Sequence, residues 1–312
     1  MTTLAWLIEH QQQLTHVIKQ GRLPHALLIQ GVKGSGKAKL TYWLSSVLTC
    51  TNPYLDNNEI VQPCGHCKIC LLNKAGNLPD IKQLLPEKNS HKVDDIRAAC
   101  QYLQKTPQLC QIKLLVISDA HLMNVSASNA LLKTLEEPSP SSILILQTDA
   151  KSQLLETIIS RCQIIDIKPY VGEQLAQQLG ANNHDPYLNL SQMEQLTDPE
   201  QQAYFETIET SFLQFLQGQF SLTEMAQLIV EGDNGLKYLQ QIQAKLIRQG
   251  HQWYPSELAS EYQQIQQIVP LSSLLTINQL LLELVSLSRY AQSNSLFQTE
   301  KFLVSVLQLI KK

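Results

Sequence analysis

The chain has 312 residues, 44% hydrophobic and 16% charged, with a net charge of −3 and a pI near 6.2. That content supports sizeable cores in two or three compact units and excludes wholesale disorder, and the mild acidity argues against a dedicated, free-standing DNA binder. The charge is uneven: residues 1–168 carry a net +4 and residues 169–312 a net −7, which predicts two regions with different partners.

The opening MTTLAWLIEH lacks the basic start and long apolar core of a signal peptide, and no run of 18 apolar residues occurs. A soluble, cytoplasmic chain that does not span a membrane is expected. Seven cysteines, an odd number with four between positions 50 and 70, fit a reduced thiol set better than a disulfide framework.

The first half alternates short apolar runs with helical patterns, as a parallel α/β sheet does. A strand at ALLIQ (26–30) runs into GVKGSGKAKL (31–40), where Gly31, Gly36 and Lys37 fall in register with the phosphate-binding loop G-x-x-x-x-G-K-[ST]. Such a loop turns backbone N–H groups onto phosphate oxygens at a helix N-terminus, its lysine neutralises charge and its hydroxyl ligates Mg²⁺. Ala38 stands where the hydroxyl belongs. Two readings stay open: a phosphate cradle without its metal oxygen, or a Gly-rich strand–helix turn with no ligand.

Next come Cys50 and CGHCKIC, which sets Cys64, Cys67 and Cys70 two residues apart. Thiolates at that spacing turn onto one tetrahedral centre, and four of them suit structural Zn²⁺. An iron–sulfur set would want a fourth cysteine at position 74, which is Lys74. Zinc is therefore expected, with Cys50 as the fourth ligand and His66 as its substitute; the bland reading is a set of unligated thiols in a polar loop.

Strands follow at IKQLL (81–85) and KLLVIS (113–118). The latter ends at a single acid, Asp119, where an ATPase would hold paired carboxylates for Mg²⁺ and water. Both metal-handling elements are thus deficient, as in an ATPase fold that has lost hydrolysis. SASNALLKTLEEP (126–138) reads as a helix capped by Ser126 or Ser128, with Ala127, Ala130, Leu131 and Leu135 on one face and Pro138 at its end. Strands at SILILQT (142–148) and QIIDI (163–167) enclose Ser-Arg-Cys (160–162), whose Arg161, taken alone, reads as a surface residue paired with Glu156 or Asp166. Beyond 168 the pattern is helical. In the last helix Phe297, Phe302, Leu303, Val306, Leu307 and Ile310 recur at helical spacing. Boundaries are placed near 168 and 205.

RLPHALLIQG, the cysteine set, PEKNSHKVDDIR, SNALLKTLEEP and ISRC stand in the order found in bacterial clamp-loader subunits. The chain resembles the delta-prime subunits of bacterial DNA polymerase III, members of the AAA+ proteins, densely from residue 21 to 167 and thinly beyond. The resemblance implies an α/β plus all-α chain. Residues 1–168 would form a RecA-like AAA+ domain with a zinc module at about 50–75, residues 169–205 a small helical lid, and residues 206–312 a helical collar. The collar would join gamma/tau and delta subunits in a heteropentamer that loads the sliding clamp onto primed DNA during replication, as part of the DNA polymerase holoenzyme. By residue, the resemblance maps Arg161 onto an arginine finger for a neighbour's ATP site and Cys50, Cys64, Cys67 and Cys70 onto zinc ligands. Thr148 falls on a strand-end sensor, Asp119 on the catalytic glutamate and Ser118 on the metal-binding aspartate. The lid sensor's counterpart, LTDPEQ (196–201), lacks Gly-Ser and a basic residue. Intrinsic ATPase activity is not expected, and ATP and Mg²⁺ binding by this chain stays open. The competing reading is an active gamma/tau-type ATPase, against which Ala38 and the missing acid pair stand. A third, an independent zinc-containing nucleic-acid binder, conflicts with the acidic C-terminal half.

Overall fold

The structure is a computed structural model that describes residues 4–87, 90–149, 154–180, 185–193, 198–253, 260–288 and 294–310. The chain divides into two units, Met1–Ser191 and Gln192–Lys312.

In the first unit, five apolar runs form one parallel sheet: β1 (Ala26–Gln30), β4 (Ile81–Leu84), β5 (Lys113–Ile117), β6 (Ser142–Thr148) and β7 (Gln163–Asp166), in the order β4-β5-β6-β1-β7. The three inner strands lack an apolar–polar alternation because both faces of a parallel sheet are covered. Leu28, Leu115, Ile117, Leu144 and Leu146 turn to one face. There they share a core with α4 (Val93–Gln104), α5 (Val125–Glu136) and α6 (Glu156–Ile159). The intervening Leu27, Ile29, Leu114, Val116 and Ile145 are equally buried and belong to the opposite face, the side of α2 (Lys37–Thr49). This layering brings the C-terminal ends of β1, β5 and β6 together, the edge of a parallel sheet where ligands bind.

Helix α5 begins one residue earlier than expected and has a different cap. Asn124 is extended, and its Oδ1 accepts the Ala127 N–H at 2.8 Å, while Ser126 and Ser128 lie inside the helix. Asparagine caps as well as serine does, so propensity could not rank these positions. The helix stops at Glu136, and Glu137, the residue before Pro138, leaves the helical region at φ −123°, ψ 70°.

A short N-terminal piece, a 3₁₀ turn at Ala5–Leu7 followed by α1 (Ile8–Lys19), lies beside α2 and a small antiparallel hairpin, β2 (Tyr54–Leu55) with β3 (Val61–Gln62). Thr15 Oγ1 accepts the Val61 N–H at 3.1 Å, and Trp43 Nε1 donates to Val61 O at 3.0 Å, which ties the hairpin to both helices. After β7 no further strand occurs among the described residues; α7 (Gly172–Leu179) closes the regular structure before 190.

The second unit is helical: α8 (Pro199–Leu216), α9 (Leu222–Glu231), α10 (Gly235–Gly250), α11 (Ser260–Ile268), α12 (Leu271–Ser288) and α13 (Ser295–Ile310). Asp198 caps α8 by accepting the Glu200 and Gln201 N–H groups, with Pro199 at the first position. Phe212, Phe215, Tyr238, Ile242, Leu274 and Leu303 build its core. In α13, Phe302, Leu303 and Val306 are buried, whereas Phe297, which recurs with them at helical spacing, is 59% exposed. Helix α12 has the length and a mean hydropathy of 1.4 that a bilayer-crossing helix needs. Its Leu274, Ile277, Leu281 and Leu284 join this core, while Leu275, Leu282 and Leu287 are exposed, so the helix buries one face.

Candidate functional site

The cysteine group is assembled by the end of α2, the hairpin and a seven-residue helix, α3 (Lys68–Lys74). Gly65 takes φ +77°, the left-handed conformation that folds CGHC back on itself. The sulfurs of Cys50, Cys64, Cys67 and Cys70 lie within 4.8 Å of one another, with Cys64 and Cys70 4.0 Å apart. A tetrahedron with metal–sulfur bonds of about 2.3 Å has edges of about 3.8 Å, so the group is close to a ligand set. Three amides aim at the sulfurs: Cys64 N at Cys50 Sγ (3.3 Å), Cys67 N at Cys64 Sγ and Cys70 N at Cys67 Sγ (both 3.4 Å). Such donors stabilise thiolates. Burial pushes the Cys50 thiol up and Cys70 up to about 12. Cys67 falls to about 5 despite its burial, because Thr51 and the Cys70 amide donate to it. Four thiols this close cannot all ionise by themselves; a divalent cation removes the conflict. His66 does not join them: its Nδ1 contacts Cys64 O at 2.8 Å, so the fourth sulfur is that of Cys50.

Gly31, Gly36 and Lys37 form the turn from β1 into α2. Gly31 N donates to Thr148 O at 3.1 Å, which sets the loop against the end of β6. A Cβ at Gly31 would meet Ser35 Oγ at 2.6 Å and Ile167 O at 2.9 Å. At Gly36 φ is +96°, and a Cβ would stand 2.8 Å from Leu4 Cδ1. The loop thus has the backbone of a phosphate cradle, covered from the N-terminus by Leu4 and Leu7, with Trp6 Nε1 donating to Ser35 O at 2.8 Å. Lys37 is turned inward and engaged: Nζ donates to Gly31 O (2.7 Å) and Val32 O (3.3 Å), and pairs with Asp149 at 2.5 Å. Asp149 follows Thr148 in the chain and was not singled out by sequence.

At the two positions that hold Mg²⁺ in the phosphate-loop pattern, the described residues offer no free oxygen, and the nearby carboxylate of Asp149 is taken by Lys37. Ala38 has none. Ser118 is buried and neutral, its Oγ donating to Gln147 Oε1 and accepting from Gln83 Nε2, both at 3.2 Å; Gln147 Nε2 continues to Thr41 Oγ1 at 2.6 Å. A chain of neutral hydrogen bonds thus runs from β4 through Ser118 and Gln147 to α2. Asp119 sits beyond it with a left-handed backbone, φ 49°. The residues present do not fit a Mg²⁺ site. Thr148 is fully buried, with Oγ1 3.3 Å from His121 Nδ1.

Arg161 lies in the turn between α6 and β7. It pairs with neither Glu156 nor Asp166. Its Nη2 donates to Glu136 Oε1 at 2.8 Å and its Nη1 to Thr157 O at 2.9 Å, with 37% of the side chain exposed. The acid comes from the last turn of α5 because Ile158 and Ile159 of α6 enter the same core as Leu131 and Leu135 of α5. Sequence distance hid this pair; the acidic doublet of TLEEP was the available signal.

Residues 8–171, more than half of the chain, match the family described as DNA polymerase III, delta subunit. The chain belongs to that family. It is 39% identical over 166 residues to the DNA polymerase III subunit delta' of Escherichia coli (strain K12), covering 53% of this chain and 48% of that protein. To the delta' subunit of Bacillus subtilis (strain 168) it is 34% identical over 175 residues, covering 56% and 51%. To the tau subunit of the same Bacillus strain the identity is 30% over 166 residues, covering 53% and 28%. The chain therefore spans about half the length of the delta' relatives it matches. In this DNA polymerase III family member, the matched segment holds every site described above: the thiols, the phosphate loop, Thr148 and Arg161.

Proposed function

We propose that this protein is a non-hydrolysing delta-prime subunit of a bacterial clamp loader, which joins gamma/tau and delta subunits to place the sliding clamp on primed DNA. In this reading residues 1–168 are the AAA+ domain, followed by a lid and by the collar that assembles the pentamer; the lid–collar border expected near 205 falls inside α8, whose Phe205 belongs to the helical core, so it moves to the unit boundary after Ser191. Cys50, Cys64, Cys67 and Cys70 hold a structural Zn²⁺; a closed four-thiolate set leaves no position for substrate. Arg161 is supplied to the neighbouring subunit's ATP, where a guanidinium forks onto phosphate oxygens and stabilises the charge of the transition state. One observation carries the non-hydrolysing role: the edge that should hold Mg²⁺ is built from Ala38 and the neutral Ser118–Gln147–Gln83 chain, while Lys37 is held by Asp149. The higher identity to delta' than to tau favours the same choice over an active gamma/tau-type ATPase.

The test is reconstitution with the other loader subunits. Arg161→Ala should leave assembly intact and lower DNA- and clamp-stimulated ATP turnover. Fingers supplied in trans are worth about 10³–10⁵ in rate in GTPases; the total loss here should be smaller, because this chain completes one site among several. Arg161→Lys should rescue poorly, since a point charge cannot reproduce the fork. A wild-type rate from the Arg161→Ala complex would remove the finger from this chain.

A further inference from the structure

We infer that Glu136 is a positioning residue for Arg161, an inference that rests on the finger reading above. The two side chains come from elements 25 residues apart in sequence and meet because α6 shares its core with α5. Glu136 Oε1 accepts from Nη2 at 2.8 Å, the Thr157 carbonyl accepts from Nη1 at 2.9 Å, and Ser160 Oγ lies 3.5 Å from Nη1. A guanidinium carries five N–H donors in a rigid plane. Three such contacts from two directions fix that plane and leave Nε–H and one Nη2 hydrogen for a phosphate oxygen.

The pair is set for guidance rather than for locking. Its side chains are 37% and 52% exposed, so the attraction is screened by water and adds little to stability. What it removes is rotamer freedom: an unrestrained arginine at a subunit surface spends most of its time in conformers that do not reach a partner, and restricting them beforehand lowers the entropy cost of engagement. The reaction itself stays in the partner's site. There, water adds to the γ-phosphorus of ATP, the bond to the β,γ-bridging oxygen breaks, and ADP, inorganic phosphate and a proton leave. Arg161 touches the reacting phosphate; Glu136 acts only through Arg161.

The experiment is a double-mutant cycle in the reconstituted loader, reading stimulated ATP turnover as kcat and KM separately. Glu136→Ala should lower kcat about twofold to fivefold, the range an exposed ion pair supports, with KM for ATP unchanged. Glu136→Gln, which keeps an acceptor oxygen, should recover part of the loss. In the Arg161→Ala background, Glu136→Ala should change nothing further. If Arg161→Ala is slow while Glu136→Ala matches wild type, the inference falls and the finger stands. If Glu136→Ala is equally harmful with and without Arg161, Glu136 works by another route and the inference also falls. A faster Glu136→Ala complex would make the pair a resting lock and overturn positioning. A wild-type rate for Arg161→Ala ends the finger reading and this inference together. Far-ultraviolet circular dichroism of each variant separates these outcomes from misfolding.

Discussion

At the scale of single residues, the most demanding interaction in the first unit is a fully buried ion pair. Lys113 and Asp80, 2% and 0% exposed, approach to 3.6 Å beneath the Tyr102 ring, which stands 4.7 Å from Lys113 Nζ. Burying two charges is costly unless their remaining hydrogen-bonding capacity is filled. Here it is: Asp80 accepts the amides of Gln108, Leu109 and Cys110 at 2.6–2.8 Å, and Lys113 donates to Thr106 O at 3.0 Å. Burial pushes the Asp80 carboxyl up, but the three amides and Lys113 together hold it below the ordinary carboxylate range. Removing one partner of such a pair costs about 3–5 kcal/mol, so Asp80→Ala should lower the thermal midpoint sharply. Because the folded-state pKa is depressed, this contribution is complete above about pH 4 and drains as pH falls through the lowered value. Asp80→Asn should therefore flatten the acid limb of a stability–pH curve. An unchanged acid limb would deny Asp80 its depressed pKa.

Among the elements, the segment from Cys50 through α3 has the least core of its own. Its hairpin strands have two residues each, Tyr54 and Leu55 are exposed, and Ile69 and Cys70 are the buried residues of α3. Hydrogen bonds within the turn, such as the Asn58 and Ile60 amides on Asp56 Oδ1, shape it, and Ile60, Val61, Ile69 and Cys70 are the apolar side chains it buries. In the proposed reading, a metal bound by the four thiolates would supply what the small core lacks, as in other small metal-dependent modules. Elemental analysis should give about one zinc per chain, with no iron–sulfur absorption. Stripping the metal with a chelator, or Cys67→Ser, should raise amide exchange across residues 50–75 while the parallel sheet keeps its protection. Exchange unchanged in that segment after full metal removal would make the thiols structurally idle.

For the molecule as a whole, the phosphate loop and the cysteine module are neighbours on α2, at its start and end, yet they differ in what they offer a ligand. The four sulfurs stand within 4.8 Å of one another, whereas the loop has the backbone of a phosphate cradle with Ala38 at its hydroxyl position. Lys37 remains, but its charge is answered by Asp149 and two loop carbonyls, Ala38 has no hydroxyl and the Ser118 hydroxyl is engaged by Gln147 and Gln83. The isolated protein should accordingly show no sustained Mg²⁺-dependent ATP turnover. Turnover that Lys37→Ala abolishes would reinstate the gamma/tau-type reading and require a metal site built from other residues.

Much of the first unit is determined by sequence alone. Five strands, their β-then-α alternation, the phosphate turn and the C-x₂-C thiols each follow from residues close together in the chain, where periodicity, Gly placement and ligand spacing act. The motif order from RLPHALLIQG to ISRC fixes the family for the same reason. What sequence could not supply were pairings made across elements. The acid beside Arg161 is Glu136 rather than Glu156 or Asp166, because helix packing, not chain proximity, sets which side chains meet. Asp149 on Lys37, Trp6 over the loop, and the Gln83–Ser118–Gln147–Thr41 chain are likewise contacts between distant segments. The cap of α5 passed from serine to Asn124, and Phe297 turned outward, since near-equal local preferences are decided by how each helix sits on its neighbours. Local chemistry named the parts; only the tertiary fold decided which of them could act on one another.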